Sequence, residues 1–78
     1  MTAKEALRRS GENLKTIREE KGYSIEALAM LSGVDTSIIY AMEAGDFDYL
    51  ISTAYDLAAT LNVDFRQILV DPYEYGDS

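Results

Sequence analysis

The sequence predicts an all-α fold built as one small domain, and three observations carry that expectation. Apolar residues recur three and four apart along most of the chain, the spacing that places them on one face of a helix. Residues with short oxygen-bearing side chains (Thr2, Ser24, Asp35 and Asp64) stand just before these runs, where each can accept a bond from a first-turn backbone N–H. Gly33, Gly45 and Asn62 stand just after them, at positions suited to the left-handed backbone that ends a helix. With 78 residues, the helices must share a single modest apolar interior.

In chain order, Thr2 can cap a short extra N-terminal helix, with Glu5 reaching back as in a capping box and Ala3, Ala6 and Leu7 along one face. Ser10-Gly11 is expected to break or kink it, because glycine inside a helix costs about 1 kcal/mol relative to alanine. Residues 1–11 thus form a basic leader, in plain reading a solvated helix or frayed terminus, in a sharper one an arm that contacts phosphate or a partner. A helix follows over about 12–21, with Leu14 and Ile17 inward and Arg18 and Lys21 toward solvent. Tyr23 keeps its ring in the core and its hydroxyl near water.

Residues 24–45 organise the rest. Ala27, Leu28 and Leu31, then Ile38, Ile39 and Met42, mark two helices over about 25–32 and 36–43 with a tight turn at Gly33. Two helices of about eight residues joined this way form a helix-turn-helix. A loop follows at 46–49. A helix over 51–61 then places Ala54, Leu57, Ala58 and Leu61 together, and Asp64 with Gln67 caps a last short helix that packs Phe65, Ile68 and Leu69 inward. Pro72 forbids continuation, and residues 71–78 form an acidic tail.

The chemistry available is narrow. The chain has no histidine and no cysteine, which removes the usual general base, the thiolate nucleophile, disulfides and the commonest transition-metal ligands. Asp46 and Asp48 look like the start of a calcium loop, but the later oxygen ligands, the sixth-position glycine and the closing glutamate are missing. There is no glycine-rich phosphate cradle. No enzyme activity, cofactor or metal is expected. With neither a long apolar run nor an n-region plus h-region at the start, no membrane partner is expected and the cytoplasm is the expected compartment.

Charge is unevenly spread. The net charge is −7, yet six of the seven basic residues (Lys4, Arg8, Arg9, Lys15, Arg18 and Lys21) precede Gly22. Beyond Gly22 only Arg66 is basic, against ten carboxylates. A duplex-DNA binder needs cations, because phosphate neutralisation supplies its non-specific affinity.

The run LKTIREEKGYSIEALAMLSGVDTSIIYAMEAG, followed by YDLAATLNVDFRQIL, resembles the lambda-repressor-like (XRE-type) helix-turn-helix family. The matching residues include Leu14, Ile17 and Arg18, then Ser24, Leu28-Ala29, Gly33-Val34, Ile39, Met42-Glu43 and Gly45, and later Leu57-Ala58, Leu61-Asn62-Val63 and Ile68-Leu69. The match covers residues 12–70 without insertions. It implies a compact five-helix domain over 12–70 and a second helix of the motif that lies in the major groove. By that resemblance the outward face comprises Ile25, Met30, Asp35, Thr36, Ser37, Ile38, Tyr40 and Ala41. Lys15, Arg18 and Lys21 are then the phosphate contacts. Relatives commonly carry glutamine at the position of Ile25 and polar or basic residues at several of the others, whereas no bidentate guanine reader is present here.

Two functions follow as expectations. One is a DNA-binding transcriptional regulator of the XRE type, acting as a homodimer. The other is a helix-turn-helix domain turned to protein binding, as an antirepressor or antitoxin-like partner or through self-association. The second rests on an apolar patch formed by Ile25, Met30, Ile38, Tyr40 and Ala41. Asp35 is explained simply as an N-cap, where the helix dipole favours negative charge.

Overall fold

A computed structural model describes residues 2–46 and 51–70. Its elements are four α-helices, α1 (Ala3–Glu20), α2 (Ile25–Ser32), α3 (Thr36–Glu43) and α4 (Ile51–Leu61), followed by a 3-10 turn at Phe65–Gln67. No strand occurs among the described residues. The bounds of α2, α3 and α4 are those the periodicity predicts. Among the described residues the expected fifth helix is a single 3-10 turn, and the extra N-terminal helix is continuous with the first domain helix. The loop after Asp46 and the acidic tail from Asp71, both expected from sequence, lie outside the described residues.

Local chemistry explains the helix ends. The Thr2 hydroxyl accepts from the Glu5 N–H at 3.1 Å while the Glu5 carboxylate accepts from the Thr2 N–H at 3.2 Å, the reciprocal pair that starts α1. That hydrogen bond to the Thr2 backbone holds the Glu5 carboxyl below its usual pKa. Ser24 accepts from the Ala27 N–H at 3.0 Å to start α2, and Gly33, at φ 79°, ends it in the left-handed region. Asn62 takes the same region at φ 59° after α4. Asp64 and Gln67 form a second reciprocal cap, and Arg66 holds the Asp64 carboxyl below its usual pKa through a side-chain hydrogen bond and its backbone N–H. Asp35 departs from expectation. It occupies the N-cap position of α3, but its side chain makes no capping bond, and the nearby turn is instead tied by Ser32, whose hydroxyl accepts from the Val34 N–H at 3.2 Å.

The expected break at Ser10-Gly11 does not occur, because the two residues serve packing. α1 runs unbroken through them, and both are buried. A β-carbon at Gly11 would overlap the carbonyl oxygen of Met42 and lie 2.8 Å from that of Glu43, so glycine lets α1 approach the end of α3. Ser10 accepts from the Val70 N–H at 2.8 Å, and Asn13 donates to the Ile68 carbonyl at 3.2 Å. The middle of α1 is therefore tied to both α3 and the C-terminal turn.

α1 packs on α3, α2 packs on both α3 and α4, and the 3-10 turn packs on α4. Leu14, Ile25, Leu28, Val34, Ile39, Met42, Leu57, Ala58, Leu61 and Ile68 form the core, with Tyr23 partly buried at its edge. Leu31, expected inward, is 61% exposed, since Ile25 and Leu28 already fill the core side of so short a helix.

Candidate nucleic-acid interface

The periodicity of α3 sorts its residues into two sides. Ile39 and Met42 are fully buried, which leaves Ser37, Tyr40 and Ala44 as an exposed stripe, with Thr36, Ile38 and Ala41 half-buried along its edges. The stripe carries hydroxyls at Ser37 and Tyr40 and a methyl at Ala44. Tyr40 is 56% exposed. On α2, Met30 is 81% exposed on the side away from Leu28, and Glu26 is exposed as well.

A buried ion pair sets how α3 sits against α1. The Arg18 guanidinium, on a residue only 8% exposed, donates through Nε to Glu43 Oε2 at 2.7 Å and through Nη2 to Glu43 Oε1 at 3.0 Å. Its Nη1 donates to the Tyr23 carbonyl at 2.8 Å. Hydrogen bonding to Glu43, opposed by burial, raises the Arg18 pKa further. One guanidinium therefore joins α1, the end of α3 and the turn that leads into α2. A fork-to-fork pair of this kind fixes orientation as well as distance.

Several expected site residues sit elsewhere. Arg18, expected as a phosphate contact, is consumed by Glu43 and Tyr23 and turned inward, so only Lys15 and Lys21 of that trio present exposed ammonium groups. Ile25, expected on the outward face, is 7% exposed and belongs to the core cluster that also holds Leu14 and Leu28. Ile38 also packs against the core. The contiguous apolar patch of five residues is thereby broken, leaving Met30, Tyr40 and Ala41 at or near the surface. Asp35 remains exposed beside the start of α3. One feature has no reading in the sequence, the Arg18–Glu43 pair, whose only signal is opposite charge at positions 25 apart.

The unit has known counterparts. A family model described as a helix-turn-helix domain matches residues 11–74. Over 62 residues the chain is 34% identical to a hypothetical transcription factor of Neisseria meningitidis serogroup B, a match that takes in 80% of this chain and 58% of the relative's length. Among solved structures, the restriction-modification controller protein C.AhdI from Aeromonas hydrophila superposes with a TM-score of 0.77 at 33% identity, covering 81% of this chain and 96% of that one. A transcriptional regulator of the HTH_3 family from Vibrio cholerae gives a TM-score of 0.81 at 27% identity, over 86% of this chain and 38% of the other.

Proposed function

The chain belongs to the lambda-repressor-like helix-turn-helix family, and from that premise we propose that it is a DNA-binding transcriptional regulator of the XRE type. The observation that carries the reading is the exposed stripe of α3, held at a fixed angle to α1 by the buried Arg18–Glu43 pair. α3 enters the major groove, and Thr36, Ser37, Tyr40 and Ala41 meet base edges and flanking phosphates. Lys15 and Lys21 contact the phosphate backbone. Two copies bind the two halves of a two-fold operator, as symmetric helix-turn-helix proteins do.

The side chains of the stripe define what it can read. No arginine or lysine lies between Gly22 and Arg66, so guanine is not held by a cationic fork. Hydroxyls and methyl groups remain, and they suit phosphate oxygens and thymine methyls. An operator with thymine at the contacted positions follows. The regulator reading also sits better than a protein-binding one with the burial of Ile25 and the half-burial of Ile38.

Fluorescence anisotropy with random-sequence duplex tests the reading, because non-specific affinity is electrostatic and needs no known operator. Binding at low salt that weakens steeply as salt is added is the expected result. An unchanged signal at low salt, from protein that melts cooperatively, would refute it.

A further inference from the structure

One exposed flank of α1 carries a basic stripe beside α3, and we infer that this stripe is a second contact line for the phosphate backbone of duplex DNA. The inference rests on the DNA-binding reading above and adds Lys4 and Arg8, which lie ahead of the segment matched by the family, to Lys15. At about 100° per residue, Lys4, Arg8 and Lys15 fall within roughly 40° of one another on the surface of α1. All three are exposed. Gly11 and Arg18, the residues of α1 that meet the end of α3, lie immediately next to this stripe on the same helical projection.

That adjacency fixes where the stripe faces. On α1 the order around the helix runs from the core residue Leu14, through the α3 contacts Arg18 and Gly11, to Lys4, Lys15 and Arg8. On α3 it runs from the core residue Ile39, through Glu43, to Thr36 and Tyr40. The two outward flanks therefore lie on the same side of the α1–α3 seam. Local geometry agrees on the placement, because a shallow hollow of about 230 Å³ is lined by Lys4, Arg8 and Glu5 of α1 on one wall and by Ala44, Gly45 and Asp46 after α3 on the other. A β-carbon on Gly45 would stand 2.8 Å from the Arg8 Cα, which shows how closely the turn after α3 crosses this part of α1. The continuous α1 helix delivers the cations there. A break at Ser10-Gly11 would have left them on a detached arm.

The stripe spans about 16 Å from Lys4 to Lys15 at 1.5 Å per residue, long enough to meet more than one phosphate. The carboxylates of α1 follow further around the helix, although Glu5 still borders the hollow beside Lys4 and Arg8. Glu5, Glu12 and Glu19 form a neighbouring line, and Glu12 accepts from Arg8 Nη1 at 3.1 Å, both groups being well exposed. Asp46 also borders the hollow. An exposed pair of this type is weak, so a phosphate oxygen can replace Glu12 as the partner of Arg8. Arg9 projects from the opposite flank of α1, roughly 100° from Arg8 and beyond the glutamate line.

The salt dependence of binding to a random-sequence duplex separates these possibilities. Arg8→Ala and Lys4→Ala should each lower the slope of log affinity against log salt by about 0.9, and the double variant by about 1.8. Arg9→Ala removes the same charge from the other flank and should leave the slope unchanged. Glu12→Gln should tighten binding by releasing Arg8. If the wild type binds but Arg8→Ala and Arg9→Ala behave alike, or the double variant keeps the wild-type slope, the stripe is refuted while the DNA-binding reading stands. If the wild type itself fails to bind, both are refuted. Circular dichroism melts of each variant establish that the fold is intact.

Discussion

Truncating Arg18 to alanine probes the joint on which the orientation of α3 depends. The substitution removes the bidentate bonds to Glu43 and the bond to the Tyr23 carbonyl, and it leaves a carboxylate whose side chain is only 8% exposed without its counter-ion. Breaking a buried pair from one side costs about 3–5 kcal/mol, mostly because the surviving charge stays desolvated. A domain of 78 residues is stable by roughly 4–12 kcal/mol in total, so the loss is a large fraction of it. Each kcal/mol moves the midpoint of so small a domain by about 4–8 °C, which puts the expected fall in Tm above roughly 12 °C. Thermal unfolding followed at 222 nm measures it. Replacing both partners together, Arg18→Met with Glu43→Leu, removes the stranded charge and should recover most of the loss, the residue being about 1–3 kcal/mol for the Tyr23 carbonyl that loses its donor. A Tm for Arg18→Ala within a few degrees of wild type would refute the reasoning, because an exposed cation costs only about 0.5 kcal/mol or less.

Other perturbations follow from the same packing. Gly11→Ala should destabilise by about 1–3 kcal/mol in urea titrations despite alanine's better helix propensity, because the new methyl meets the carbonyls of Met42 and Glu43. Ile25→Ala should cost about 2–5 kcal/mol, as a core truncation does, while Leu31→Ser on the same helix should stay within about 0.5 kcal/mol; equal effects in chemical denaturation would contradict the assignment of core and surface on α2. Glu5 and Asp64 both have carboxyl pKa values held below normal in the folded chain. Their contributions are therefore complete above the ordinary carboxylate range and are lost as pH falls through the lowered values. The acid limb of a Tm–pH profile should flatten in a Glu5→Gln, Asp64→Asn variant.

The parts legible in the sequence are those decided within a few residues. Capping at Thr2, Ser24 and Asp64, and the left-handed stops at Gly33 and Asn62, are local hydrogen-bond and backbone chemistry, so α2, α3 and α4 begin and end where the pattern places them. What escaped was decided across the fold. A serine followed by glycine is as good a signal for a helix break as for a close helix crossing, and only the presence of α3 at that spot selects the second. Arg18 is indistinguishable from an exposed arginine until Glu43, 25 positions later, is folded against it. Resemblance places Ile25 outward, whereas in this chain an isoleucine at the first position of α2 gains more from the core than a polar residue would. Leu31 shows the converse, since a helix of eight residues has a narrow core side and cannot bury every apolar residue it carries.

The central claim is that one surface, the exposed stripe of α3 joined to the basic flank of α1, meets duplex DNA. Amide chemical-shift mapping of the labelled protein during titration with a random-sequence duplex at low salt tests it most directly. The expected result is that shifts concentrate at Ser37, Tyr40 and Ala44 and along Lys4, Arg8 and Lys15, with the exposed side of α4 around Ile51 and Tyr55 unmoved. Shifts confined to α4, or none at all, would contradict it.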